Sequence, residues 1–324
     1  MTIVRHTMQA IRVHQYGGPE QLKLERAPLP EPQAGEVLIR IHATGVLPME
    51  WKVRQGLFQA VFPTTFPYIP GSAIAGVVEQ TGPGVTSFQP GQAVFGRTTH
   101  GAYAEYTATA VEPPALTRDT FSLLALKPQG LSFDLAATIS GGATIAWTAL
   151  FADGALQPGQ QVLIHGAAGG VGSYAVQFAK RKGAHVIATA SMANLEFVRS
   201  LGADDVIDYS ATPFEQAVHD LDLVLDTIGG TTLRRSIDVV KPGGMLVSLL
   251  EQPAAELAQQ RGIRAIKNAA LPTNEHLRTI AAMIVEGNVK ATIARTFALH
   301  EARQAHELSQ TGHGRGRIVL HIAD

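Results

Sequence analysis

Residues 163–174 read LIHGAAGGVGSY, an apolar run that gives way to alanines and glycines. QVLIH (161–165) has the pattern of a buried strand. VGSYAVQFAKRKG (171–183) has that of a helix stopped by Gly183, and HVIATA (185–190) reads as a second strand. Together they form a strand–turn–helix–strand unit of about thirty residues, the context in which a glycine-rich turn acquires meaning. In that setting AAGGVG (167–172) occupies the register of the dinucleotide fingerprint, with Ala167 in place of its first glycine. Gly169 would let the backbone approach a pyrophosphate, and the N–H groups of Gly170, Val171 and Gly172 would meet it from a helix N-terminus. Gly172 would also allow close packing of helix on sheet.

The alternation continues through NLEFVRSLGA, DVIDY, LDLVLDT, TTLRRSIDVV and GMLVSLL. Strands alternating with helices predict a doubly wound parallel α/β sheet. The first 125 residues have another rhythm. Short runs such as VLIRIHATGV, SAIAGVVEQTG and GAYAEYTATA are cut by Pro-Gly and Gly-Pro-Gly signals, which predicts a mostly β unit. Near the end, ATIARTFAL and GRIVLHI read as strands and flank a helix, and GRIVLHI is expected to rejoin a sheet. The expected organisation is a β-rich domain at 1–128, a Rossmann domain at 129–265 and a C-terminal segment at 266–324 that returns to the first.

The chain has 324 residues, 45% of them hydrophobic and 16% charged, and a formal net charge of -1. That composition predicts a folded protein and gives no electrostatic reason to expect nucleic acid or an anionic membrane as partner. It contains no cysteine, which excludes disulfides and thiolate metal sites and fits a reducing, cytoplasmic setting. MTIVRHTMQA, with Arg5 and His6, lacks the apolar stretch of a signal peptide. Leu135 to Ala152 is uncharged but carries glycines and threonines, so a packed helix at the domain junction is expected rather than a membrane span.

Which dinucleotide binds is decided at the end of the second strand. A carboxylate there bonds the ribose 2′-hydroxyl of NAD; this chain has ATAS, with Ser191 in that place. A hydroxyl can donate to a 2′-phosphate that a carboxylate would repel, so NADP(H) is expected, although no Lys or Arg follows in SMANLEF.

From Met8 to Ile322 the chain resembles the zinc-free quinone oxidoreductase branch of the medium-chain dehydrogenase/reductase superfamily, which includes zeta-crystallin-like quinone reductases and enoyl reductases. The resemblance is carried by YGGPEQLKLE (16–25), WKVRQG (51–56), FPYIPG (66–71), GAYAEY (101–106), AAGGVG, NLEFVRSLGADDVIDY (194–209) and GHGRGRIVL (312–320). It implies a GroES-like β domain beside a Rossmann domain, a homodimer, and hydride transfer from NADPH to a quinone or an α,β-unsaturated carbonyl without metal. Where zinc members have Cys-Gly-x-Asp and Gly-His-Glu, this chain has GVLPMEW (45–51) and PGSAIAG (70–76). The resemblance also implies a nucleotide site made by Gly169, Gly170, Val171, Gly172, Ser191, Asn194 and Tyr209, with Ile228 and Leu249 beside the nicotinamide and Arg317 approaching the cofactor.

The reacting half departs from the family pattern. Leu47 and Glu50 stand in place of the Asn and Asp of Asn-Pro-x-Asp, Ser72 in place of a Trp, and Ile145 in place of a junction threonine. Leu47, Trp51, Ser72 and Ile145 are therefore expected to shape the acceptor pocket, and Glu50, Tyr68 and Tyr103 are the candidate proton donors. The histidines, including His276, His300 and His306, are expected to be uninvolved surface or packing residues. Two alternatives stay open: a nucleotide sensor or crystallin-like protein with little turnover, and an enoyl reductase acting on carrier-bound acyl chains.

Overall fold

The computed structural model describes residues 6–60, 63–112 and 121–324. Arg5, Val61 and Phe62 lie outside the described residues.

The chain opens with the antiparallel pair β1 (Thr7–Arg12) and β2 (Lys23–Pro28). β3 (Glu36–Val46) follows, then the short helix α1 (Pro48–Arg54), β4 (Ala73–Thr81), β5 (Ala93–Arg97), β6 (Tyr106–Ala110) and β7 (Leu123–Leu126). β3 is buried along nearly its whole length because β4 and β15 flank it and β6 also pairs with it. After the junction helices α2 (Phe133–Ala137) and α3 (Thr144–Trp147), the Rossmann unit runs through β8 (Gln161–Ile164), α4 (Gly172–Arg181), β9 (His185–Ala190), α5 (Leu195–Ser200) and β10 (Asp205–Asp208). It continues through β11 (Leu221–Asp226), α6 (Gly230–Ser236), β12 (Val240–Ser248), α7 (Ala255–Gln260) and β13 (Arg264–Lys267). The last elements are α8 (Asn274–Val285), β14 (Ile293–Ala298), α9 (Ala302–Gln310) and β15 (Arg317–His321).

The six Rossmann strands are parallel, in the order β10-β9-β8-β11-β12-β13. β8 and β11 thus lie where the winding reverses, and ligands of such sheets bind outside the strand ends at that point. The second sheet runs β14-β15-β3-β4-β5-β7. Its β15 pairs antiparallel with β3, Leu320 facing Thr44, so the last strand lies in the β-rich sheet. α8 does otherwise: Leu277, Ile280 and Ala281 enter the core that holds Ile139 and Tyr174 at the junction.

That largest core joins the two halves, with Ala43, Ala75 and Phe95 from the β-rich sheet and Val162, Ile164 and Tyr174 from the Rossmann side. A close-packed core shared by both halves fixes the cleft above it. The expected continuous junction helix is broken. Ser140 is extended and Gly141 has φ +70°, and a Cβ at Gly141 would stand 2.5 Å from Leu47 Cδ2. The break buys a close approach of the junction to Leu47 at the cleft. Among the described residues no helix is long and apolar enough to cross a membrane.

Candidate functional site

Between the two sheets lies a cavity of about 1950 Å³. Its nucleotide side is built at the carboxyl ends of β8, β9 and β10. Gly169, Gly170, Val171 and Gly172 line it where α4 begins, and Ser191, Asn194 and Tyr209 line it beyond β9 and β10. Tyr209 is placed by its backbone N–H, which donates to Ala190 O at 3.2 Å. Asn194 Nδ2 donates to Ser191 Oγ at 3.1 Å, leaving the seryl O–H free to act as a donor.

Ile228 and Leu249 also line the cavity. Both follow Asp226, whose buried carboxylate accepts the N–H groups of Ile228 and Gly229 and the hydroxyl of Ser248. His165, at the end of β8, bonds Thr189 and Ser236. Burial pushes its imidazole down to about 3, so it is neutral.

Arg317 is 3% exposed and borders the cavity against Gly170 and Gly142. Its Nε and Nη2 have no hydrogen-bond partner among the described residues. A buried guanidinium with unused donors is costly unless an anion or carbonyl meets it. Beside it, a Cβ on Gly169 would approach only Gly166 O, at 3.3 Å. A bare backbone next to an unsatisfied cation fits the pyrophosphate of a dinucleotide, which Gly169, Gly172 and Arg317 would hold.

The reacting side is lined by Leu47, Glu50, Tyr68, Ser72 and Ile145. Two expected residues stand behind that wall. Trp51 does not line the cavity; its half-buried indole carries Lys52 Nζ 5.5 Å from the ring centroid, and its Nε1 has no hydrogen-bond partner among the described residues. Tyr103 is fully buried, and its hydroxyl is committed to Glu50 Oε2 at 2.6 Å, so it reaches the cavity only through that carboxyl. Tyr68 borders the cavity with a buried hydroxyl that has no partner among the described residues, and burial raises its pKa far above the ordinary phenol value.

Glu50 is 8% exposed and accepts three donors. Leu47 N–H at 2.9 Å and Tyr103 O–H reach Oε2, and Ser72 N–H reaches Oε1 at 3.1 Å. The Leu47 bond is the half of a capping box in which the third helical residue reaches back to the N-cap. Burial dominates all of these and raises Glu50 to about 7. Oε1, with the single donor, is the oxygen with room for a proton.

Sequence reading missed what stands behind Glu50. His306 is fully buried, and its Nε2 lies 3.1 Å from the Tyr103 hydroxyl. Its Nδ1 faces Arg54 Nε at 3.4 Å, which can only donate, so the imidazole proton is assigned to Nε2. Burial pushes His306 down to about 3, with Arg54 adding to the effect. Arg54 is anchored on Gly17 O and Gln310 Oε1. The chain Arg54–His306–Tyr103–Glu50 spans the β-rich domain and α9, and no spacing in the sequence signals it. Among the described residues no group of three or more His, Asp or Glu side chains could hold a metal ion.

Comparison with known proteins places this geometry. Residues 33–114 match the alcohol dehydrogenase GroES-like domain family, and residues 201–320 match a family described as zinc-binding dehydrogenase. Quinone oxidoreductase of Rattus norvegicus is 31% identical over 333 residues, covering 97% of each chain. The chloroplast envelope quinone oxidoreductase homolog of Arabidopsis thaliana is 31% identical, covering 97% of this chain and 98% of the relative. Among solved structures, the quinone oxidoreductase from Coxiella burnetii superposes with a TM-score of 0.88 at 34% identity, covering 97% and 99%. Escherichia coli quinone oxidoreductase complexed with NADPH superposes at 0.86 with 25% identity, covering 96% and 99%. The breadth of these matches, together with a cleft built on a fingerprint turn and a cysteine-free chain, identifies a member of the zinc-free quinone oxidoreductase branch of the medium-chain dehydrogenase/reductase superfamily.

Proposed function

We propose that the chain is an NADPH-dependent reductase that passes hydride to a quinone or an α,β-unsaturated carbonyl without metal. The observation that carries the cofactor choice is Ser191: a hydroxyl, not a carboxylate, lines the ribose end of the cavity beyond β9. Bound NADPH would supply the hydride. The chain's own part is to hold the nucleotide on Gly169–Gly172 and Arg317, to exclude water with Leu47 and Ile145, and to carry a proton on Glu50 Oε1. At neutral pH about half of the Glu50 carboxyls are protonated, which suits a donor to the oxygen or carbon that gains negative charge. Arg54, His306 and Tyr103 hold that carboxyl by hydrogen bonds rather than touch the acceptor.

Leu47, Phe58, Phe121 and Ile145 give the acceptor side apolar surface around the polar groups of Glu50 and Ser72, which favours a planar hydrophobic acceptor carrying a carbonyl oxygen. Steady-state oxidation of NADPH against a panel of quinones and enones tests the activity. Tight NADPH binding with no turnover on any acceptor would reject it in favour of a nucleotide-binding role. For the cofactor, Ser191→Asp is expected to lower the NADPH-to-NADH affinity ratio roughly tenfold or more, since one charge repulsion at contact exceeds about 1.4 kcal/mol. Equal binding of the two nucleotides by the unsubstituted protein would sink the preference.

A homodimer and a cytoplasmic location belong to the same proposal. β13 is one of the two edge strands of the Rossmann sheet, with β10 at the other end, and an unpaired edge invites pairing with a second copy. Light scattering after size exclusion would return twice the 34.4 kDa chain mass.

A further inference from the structure

We propose that Arg315 is the cation that recognises the 2′-phosphate of NADPH, brought to the ribose end of the cleft by the returning C-terminal strand. The inference rests on the NADPH reading and supplies the basic residue that SMANLEF lacks. Arg315 Nε–H donates to Asn194 Oδ1 at 2.8 Å, and Nη2 donates to the carbonyl of Ala193. Asn194 in turn holds Ser191 Oγ. The guanidinium lies over the Phe197 ring, 5.5 Å from its centroid. Arg315, Ser191, Asn194 and Tyr209 all line the same end of the cavity.

The charge at Arg315 is uncommitted. It forms no ion pair among the described residues, and its two hydrogen bonds leave three of the five guanidinium N–H groups available. Of the other arginines, Arg235 lines the same cavity but is paired with Glu215, and Arg199, paired with Glu196, does not line it. The acid closest in sequence to Tyr209, Asp208, turns Oδ1 to Ser210 and does not line the cavity. A planar donor fork next to a free hydroxyl, with no carboxylate of the described residues lining that end of the cavity, matches the geometry of a phosphate.

The placement is built into the fold. Gly316 donates its N–H to Ala168 O at 2.8 Å and forms a parallel bridge with Gly169. It has φ +78°, and a Cβ there would stand 2.1 Å from Thr292 O, so only glycine fits. Pinned at that point, the tail sends Arg317 under Gly170 toward the pyrophosphate and Arg315 toward Asn194 and the ribose.

Isothermal titration of the full chain with NADPH, NADH, 2′,5′-ADP and 5′-AMP tests the assignment without turnover. Arg315→Ala is expected to weaken NADPH and 2′,5′-ADP roughly tenfold or more while NADH and 5′-AMP stay within about twofold. Arg315→Lys should recover part of the loss, and the difference should shrink in high salt. Unchanged NADH binding in Arg315→Ala shows that the site is still folded. An NADPH preference that survives Arg315→Ala overturns the role of Arg315 and leaves the cofactor reading intact. Equal NADPH and NADH binding by the unsubstituted chain overturns both.

Discussion

Gly172→Ala is expected to lower stability and cofactor affinity together. A Cβ at Gly172 would lie 2.3 Å from Gly166 O and 2.7 Å from Ala167 Cα. Both are backbone atoms of the turn that leaves β8, so no side chain can swing aside. The first turn of α4 must move away from the sheet. Forcing even one extra carbon into a packed contact costs about 1–3 kcal/mol, and here the displaced element is also the nucleotide cradle. The melting temperature should fall by about 5 °C or more, and NADPH affinity at least about tenfold. Gly169→Ala makes the contrast. Its Cβ would meet only Gly166 O at 3.3 Å, so the fold should tolerate it while the methyl obstructs the pyrophosphate. Thermal melts with fluorescence titration separate the cases. If Gly172→Ala melts and binds like the unsubstituted chain, the close approach of α4 to the turn does not matter.

The contrast also shows what a linear sequence can display. The fingerprint turn is local: strand, glycines and helix are consecutive, so their geometry follows from propensity and a short repeat. Five of the six parallel strands were legible for the same reason, as extended runs in an alternating pattern; β13, four residues long and only half-buried, was not read. Gly170 shows where local reading stops, since its neighbour is Arg317, brought over by the bridge between Gly169 and Gly316. Arg315 lies 121 residues from its partner Asn194. His306 lies 203 from Tyr103 and 252 from Arg54. Nothing in the residues around His306 separates a network member from a packed histidine, because its partners come from α1 and from the loop before β6. The broken junction helix was hidden for another reason. Composition showed a packed, uncharged segment, but the kink at Gly141 lets the junction approach Leu47, 94 positions earlier, more closely than a Cβ would allow.

Substituting Glu50 should change both stability and the pH profile, in ways that tell a proton donor from a structural cap. Glu50→Ala leaves the N–H groups of Leu47 and Ser72 and the hydroxyl of Tyr103 without an acceptor in a buried place. At about 1–3 kcal/mol for each stranded donor, a loss of several kcal/mol is expected. Glu50→Gln keeps the volume and one acceptor oxygen and is the variant for kinetics. The unsubstituted carboxyl titrates near 7 when folded, against an ordinary value of 4.5. The folded state therefore holds this proton more tightly than the unfolded chain does. Its stabilising contribution is complete below about pH 4.5 and is lost as pH rises through about 7. At 1.36 kcal/mol per pH unit the span is worth about 3 kcal/mol, and Glu50→Gln should flatten that part of the stability curve. If the protonated carboxyl is the donor, kcat/KM of the unsubstituted enzyme falls above about pH 7. In Glu50→Gln it should become independent of pH there and drop by about a hundredfold, the lower end of what a positioned acid contributes. His306→Gln, which can still bond the Tyr103 hydroxyl, should shift the midpoint of the profile rather than remove it. A Glu50→Gln enzyme that keeps the inflection near pH 7 and most of its rate would reduce Glu50 to the residue that caps α1.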